Sequence, residues 1–198
     1  MRNFFESMEP WRQPEGSLHL YVLPDDDVRE RLVSAHEALT DIEHLPLMPP
    51  AYLHMTVHRL SQFDDLPQVE FSRLAQHLTP LFDSFPAFTV DMGAPELHET
   101  SVGVTASPSA DWDSLIDGVR RTLSEAFPGD DLLFPPHAPH LSLGYATGPA
   151  SDDEVRARLK DQPPIGDVRI GMVELVSVTV RPDLGIFDFT GLAAWPLA

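Results

Sequence analysis

The chain has 198 residues, 42% of them hydrophobic, enough for one ordinary domain or two small, intimately packed lobes around a real core. Acids number 31 against twelve arginines and the single Lys160, a formal charge of −18 that repels polyanions and disfavours a long nucleic-acid footprint. Cysteine is absent, which excludes disulfides, thiolate metal sites and a cysteine nucleophile.

Residues 1–16 read as a polar, proline-bearing lead without a signal-peptide apolar stretch. No run approaches the length of a membrane span, so the expectation is a cytoplasmic monomer. Ser17 to Leu23 reads as a strand, and Pro24 with Asp25, Asp26 and Asp27 as a helix start, after which Val28, Leu32, Ala35 and Leu39 recur at helical spacing. A proline-rich connector, His44 to Pro50, leads to a strand over Tyr52 to Leu60 and a polar turn around Asp64 and Asp65. Phe71, Leu74, Leu78 and Leu81 mark another helix, expected to be interrupted or ended near Pro80. Strands at Ala87 to Met92 and Ser101 to Ala106 precede an amphipathic helix whose one face carries Trp112, Leu115, Ile116, Val119, Leu123 and Phe127. Pro135-Pro136 leads into a strand over His137 to Tyr145. A short helix at Asp152 to Lys160, a β-rich run at Val168 to Val180 and an apolar segment at Ile186 to Trp195 complete the chain. This mixed order predicts an α+β fold in a single domain, 1–198.

The order strand, helix, proline pair, strand occurs twice, and each copy ends on a histidine. His54-Met55-Thr56-Val57 and His140-Leu141-Ser142-Leu143 share one pattern: histidine, apolar, hydroxyl, apolar. About 0.2 such tetrapeptides are expected by chance at this composition. On a strand, side chains alternate, so His54 and Thr56 face one side and His140 and Ser142 repeat the arrangement. Imidazoles suit proton transfer in both directions near neutral pH, and neighbouring hydroxyls can donate hydrogen bonds to oxygens on which charge develops.

With these motifs the chain resembles the two-histidine (2H) phosphoesterase superfamily, the group of 2′-5′ RNA ligase-like proteins and cyclic phosphodiesterases. Leu18 to Pro24 with Val28-Arg29-Glu30-Arg31-Leu32, Pro49-Pro50-Ala51-Tyr52-Leu53 and Pro139 to Tyr145 are similar to the family's first strand and helix and its approaches to the two motifs. The resemblance implies a bilobal fold, two pseudo-twofold-related lobes of antiparallel sheet with helices packed outside, and a cleft between the motifs at 54–57 and 140–143. It implies His54 and His140 as the acid/base pair, aided by Thr56 and Ser142. The family often places a basic residue just after the second motif, where this chain has Gly144-Tyr145.

Alternation puts His58 beside His54 and Thr56, and so at the cleft rim. His19 and Tyr21 share a face of the first strand, where the family often sets an aromatic in the pocket. Tyr145, Arg59 and Arg181 are further candidates for contact with base or phosphate, whereas His137 would point to the opposite face of a regular strand. No metal-ligand spacing and no phosphate-cradling loop is present, so neither metal nor cofactor is expected. The expected function is metal-independent hydrolysis of a 2′,3′-cyclic phosphate or a small 2′-5′-linked nucleotide. The alternatives are 2′-5′ RNA ligation and a nucleotide-binding module without turnover.

Overall fold

The computed structural model describes residues 1–11, 13–60, 68–128 and 137–198, with backbone alone at 68–71. The turn around Asp64 and Asp65, the Pro135-Pro136 pair and the Phe71 side chain lie outside the described residues.

The N-terminal lead carries a helix that the sequence reading did not assign. Asn3 caps α1 (Phe4–Ser7), its side chain accepting from the amides of Phe5 and Glu6. A single turn has no periodicity to betray it. After β1 (Glu15–Val22), the Asp25 carboxylate accepts from the Val28 amide and opens α2 (Asp26–Ala38), which buries Val28, Leu32 and Ala35 at the expected spacing. The strand expected over Tyr52 to Leu60 shortens to β2 (Met55–Arg59), because Pro50–Tyr52 closes a 3-10 turn. Proline suits the first turn of such a helix: its φ is preset and it has no N–H to satisfy.

The expected break at Pro80 is corrected. Helix α3 (Gln68–Ser84) runs straight through it. An interior proline costs about 3 kcal/mol. Leu78 and Phe82 are fully buried on the same helix, worth about 1.5–3 kcal/mol each, and together they outweigh it. The Thr79 hydroxyl adds a donated bond to the Ala75 carbonyl at 2.9 Å and accepts the Trp195 indole N–H at 2.8 Å.

The remaining elements are β3 (Phe88–Met92), a short β4 (Glu96–Leu97) that the sequence reading did not assign, and then, in the expected order, β5 (Ser101–Thr105), α4 (Ala110–Ala126), β6 (His140–Tyr145) and α5 (Asp152–Leu159). The β-rich run divides into β7 (Gly166–Ile170) and β8 (Met172–Arg181), and β9 (Ile186–Pro196) closes the chain. Among the described residues no helix is long and apolar enough to cross a membrane.

The fold is α+β and two-lobed, with every strand pair among the described residues antiparallel. One lobe is a four-stranded sheet in the order β2-β1-β8-β9, with α3 and α4 against its strands. The other combines β4-β5-β6 with the β3-β7 pair, joined through a bridge between Met92 and Ala106. The proline connector ties the lobes together: the Met48 amide donates to the Leu143 carbonyl at 2.8 Å, and Leu47 bridges Gly144. A side chain at 144 would meet the Pro46 carbonyl oxygen at 2.8 Å, so the close approach of this connector requires glycine there.

Each motif strand carries a bulge at the same place. β1 pairs Leu20 with His58 and Tyr21 with Thr56, leaving Val57 as an extra residue in β2. β5 pairs Val102 with Gly144 and Gly103 with Ser142, leaving Leu143 as the extra residue in β6. The internal repeat is therefore repeated in register down to the irregularity.

Candidate active site

The two histidines are oriented by the same local device. His54 lies immediately before β2 and its Nδ1 is 2.7 Å from the Tyr52 carbonyl, which the proline-initiated turn presents. His140 opens β6 with its Nδ1 2.9 Å from the Ala138 carbonyl. A carbonyl only accepts, so Nδ1 carries the proton in both rings and Nε2 is left to exchange one with a substrate. The ring of His54 is also held from the side: Tyr21 stacks on it at 4.0 Å and 11°, and Phe189 meets it edge-on at 5.7 Å. Burial lowers the His54 pKa to about 4, opposed by the Tyr52 carbonyl and reinforced by the neighbouring His140. At neutral pH it is an uncharged base.

The hydroxyls repeat the symmetry. Thr56 hydrogen-bonds the Tyr21 phenol and Ser142 the Tyr145 phenol, while burial raises both phenol pKa values and keeps these groups protonated. His54 lies within electrostatic reach of His140 and Tyr21 of Tyr145, so the two motifs face one cleft, with Tyr21 and Tyr145 beside their hydroxyls. His19 also belongs to this wall, 5.4 Å from the Tyr21 ring, with its pKa lowered to about 3, chiefly by burial.

His58 is not where alternation expects it. The extra residue Val57 resets the phase, so His58 pairs with Leu20 and turns away from Tyr21 and Thr56. It is fully buried within electrostatic reach of Arg120 on α4, and burial lowers its pKa to about 4. The same reset returns Arg59 to the cleft face opposite His19, where its guanidinium lies 4.4 Å over Trp11. In the second lobe the reset turns Gly144 away and Tyr145 inward, so Arg59 and Tyr145 hold equivalent places. A basic residue thus follows the first motif on the cleft face, not the second.

His137 precedes β6, which begins at His140 and not at His137 as expected. Its ring comes within 6.3 Å of His140. Arg181 is engaged elsewhere, 2.9 Å from Asp188. Beside His140 and Ser142 the surface sinks into a hollow of about 390 Å³, floored by Ser101, Gly103 and Thr105 and walled by Phe4, His98 and His137. Phe4, Trp11, His98 and Phe189 escaped the sequence reading. The only available signal was the aromatic content of the lead. Among the described residues no group of three or more His, Asp or Glu is placed to hold a metal ion.

A family model of the 2′-5′ RNA ligase superfamily matches residues 24–180. The chain belongs to this superfamily. Its members are the two-histidine phosphoesterases and 2′-5′ RNA ligase-like proteins that the paired motifs resemble. Solved structures agree on the fold. TT0787 of Thermus thermophilus is similar at a TM-score of 0.72 and 20% identity, over 91% of this chain and 97% of that one. LigT of E. coli, crystallised with NADP+, is similar at a TM-score of 0.68 and 16% identity, over 92% and 98%. LigT with 3′-AMP gives a TM-score of 0.67 and 16% identity, over 93% and 99%. No curated protein matches the chain by sequence. The superfamily match begins after β1, so the N-terminal segment that carries Phe4 and Trp11 precedes it.

Proposed function

We propose that the protein is a metal-independent phosphoesterase that hydrolyses a 2′,3′-cyclic phosphate or a small 2′-5′-linked nucleotide. The observation that carries this reading is the matched pair of imidazoles, each with Nδ1 committed to a backbone carbonyl and Nε2 available. In-line displacement at phosphorus needs one such nitrogen to take a proton from the attacking water and another to give one to the departing oxygen. Thr56 and Ser142 donate to the non-bridging oxygens, and Arg59 supplies positive charge at the cleft wall. The small nucleotide-sized ligands crystallised with E. coli LigT, 3′-AMP among them, favour a substrate of the same scale.

The test is hydrolysis of adenosine 2′,3′-cyclic phosphate and of a 2′-5′-linked adenosine dinucleotide in the presence of EDTA. Turnover should persist in the chelator, and His54→Ala and His140→Ala should each lower kcat by about 10²–10⁴ with the fold retained by circular dichroism. Inactivity of the wild type on both substrates, or a folded variant at full rate, would overturn the reading.

A further inference from the structure

The two walls of the cleft are related by register but not by content. The matched bulges place Gly103 where β1 has Tyr21, and Ser101 where β1 has His19. In the first lobe those places are filled: His19 and Tyr21 are 3% and 2% exposed, and the Trp11 ring packs 4.9 Å from His19. In the second lobe the same places, together with Thr105, floor the hollow beside His140. Gly103 cannot be enlarged without moving backbone, since a Cβ there would lie 2.5 Å from the Leu141 carbonyl oxygen.

The open wall is completed by residues ahead of the superfamily match. The amides of Arg2 and Phe4 donate to the carbonyls of Glu99 and Ala146 at 3.0 and 2.8 Å, and the Asn3 side chain donates to the Thr147 carbonyl at 2.8 Å. These bonds set Phe4 against Tyr145, ring centroids 4.5 Å apart, with part of the Phe4 ring open to the hollow. The cavity thus has hydroxyls on its floor, an aromatic face on one wall and imidazoles on another. Its volume lies within the range of about 300–1,000 Å³ usual for small-molecule sites.

We propose that this hollow is the nucleoside subsite of the enzyme, holding the ribose and base of a nucleoside 2′,3′-cyclic phosphate with the base against Phe4. The proposal rests on the phosphoesterase reading above and adds a direction to it. The leaving oxygen of a cyclic phosphate stays on the ribose, so it lies on the His140 side. Water then approaches from His54: its oxygen bonds to phosphorus as its proton passes to His54 Nε2. The bond from phosphorus to the ribose oxygen breaks, and that oxygen takes the Nε2 proton of a protonated His140.

The experiment is calorimetric titration of the wild type, Phe4→Ala and Ser101→Phe with adenosine 3′-monophosphate and, separately, inorganic phosphate. The first substitution removes the wall and the second fills the floor. Both should weaken the nucleotide by about ten-fold or more and leave phosphate within about two-fold, which also reports an intact cleft. Unchanged nucleotide affinity in either variant, equal weakening of both ligands, or a wild type that binds nucleotide no better than phosphate overturns the subsite. A nucleotide bound in the expected pattern but no cyclic phosphate hydrolysed would instead refute the phosphoesterase reading and leave the subsite standing.

Discussion

A histidine becomes a directional proton carrier once one of its ring nitrogens is committed, and here both are committed to the carbonyl two residues earlier. The commitment is built into local sequence: a proline-initiated turn aims the Tyr52 carbonyl at His54, and Pro139 separates Ala138 from His140. Tyr21 then stacks on one histidine only, so the pair is equivalent in anchoring and unequal in surroundings. If His140 is the group that protonates the leaving oxygen, its importance must depend on how much that oxygen needs a proton. With a p-nitrophenyl phosphodiester, whose leaving group departs as a stable anion, the rate deficit of His140→Ala should shrink to about ten-fold or less. That of His54→Ala should stay near its value on the cyclic nucleotide, about 10²–10⁴. The ratio of the two deficits on the two substrates is the measurement, and a shrinking deficit in His54→Ala would reverse the assigned roles.

At the scale of elements, the paired bulges decide what the cleft contains. By inserting Val57 and Leu143, they turn His58 and Gly144 away and bring Arg59 and Tyr145 back to the cleft face. Core-facing His58 has a thermodynamic consequence. Its pKa falls from the ordinary 6.5 to about 4 in the folded chain, and that of His19 to about 3, burial being the main cause in both. Between pH 6.5 and pH 4 the unfolded chain binds protons that the folded chain refuses. Stability is therefore full above about pH 6.5 and falls as pH drops through this window, by about 1–2 kcal/mol per buried histidine at pH 5. Urea unfolding at pH 7.5 and pH 5 should show the loss, and His58→Leu should flatten it; an unaltered pH slope in that variant would show that His58 titrates normally. The motif residues were legible in the sequence because short repeated patterns carry them, and the helices because their apolar spacing is regular. The bulges were not, since strand register is set by pairing between segments distant in sequence, Tyr21 with Thr56 and Gly103 with Ser142. The helix through Pro80 and the docking of Phe4 were hidden for a related reason: tertiary burial overrode a local breaker in one case, and long-range hydrogen bonds and ring contacts fixed a single turn in the other.

Over the whole molecule, a formal charge of −18 surrounds a cleft that, on the proposed function, accepts a phosphate. Six of the thirteen Lys and Arg are engaged in surface ion pairs: Arg2, Arg29, Arg31, Arg156, Arg158 and Arg181 each pair with a carboxylate. Arg59 stands at the cleft wall, over Trp11. A nucleic acid tracked along the surface would need a path of such residues, and each phosphate neutralised on a single strand adds roughly 0.7 to the log-log salt dependence of binding. One or two contacts give a slope of magnitude about 1–2, whatever the length of the nucleotide beyond them. Affinity for adenosine 3′-monophosphate and for a ten-residue oligoadenylate, measured between 50 and 200 mM salt, separates the cases: the two ligands should bind within a few-fold of one another, with slopes in that range. An oligonucleotide held far more tightly, with a slope several units steeper, would reveal an RNA-tracking surface and move the substrate from small nucleotides to RNA ends.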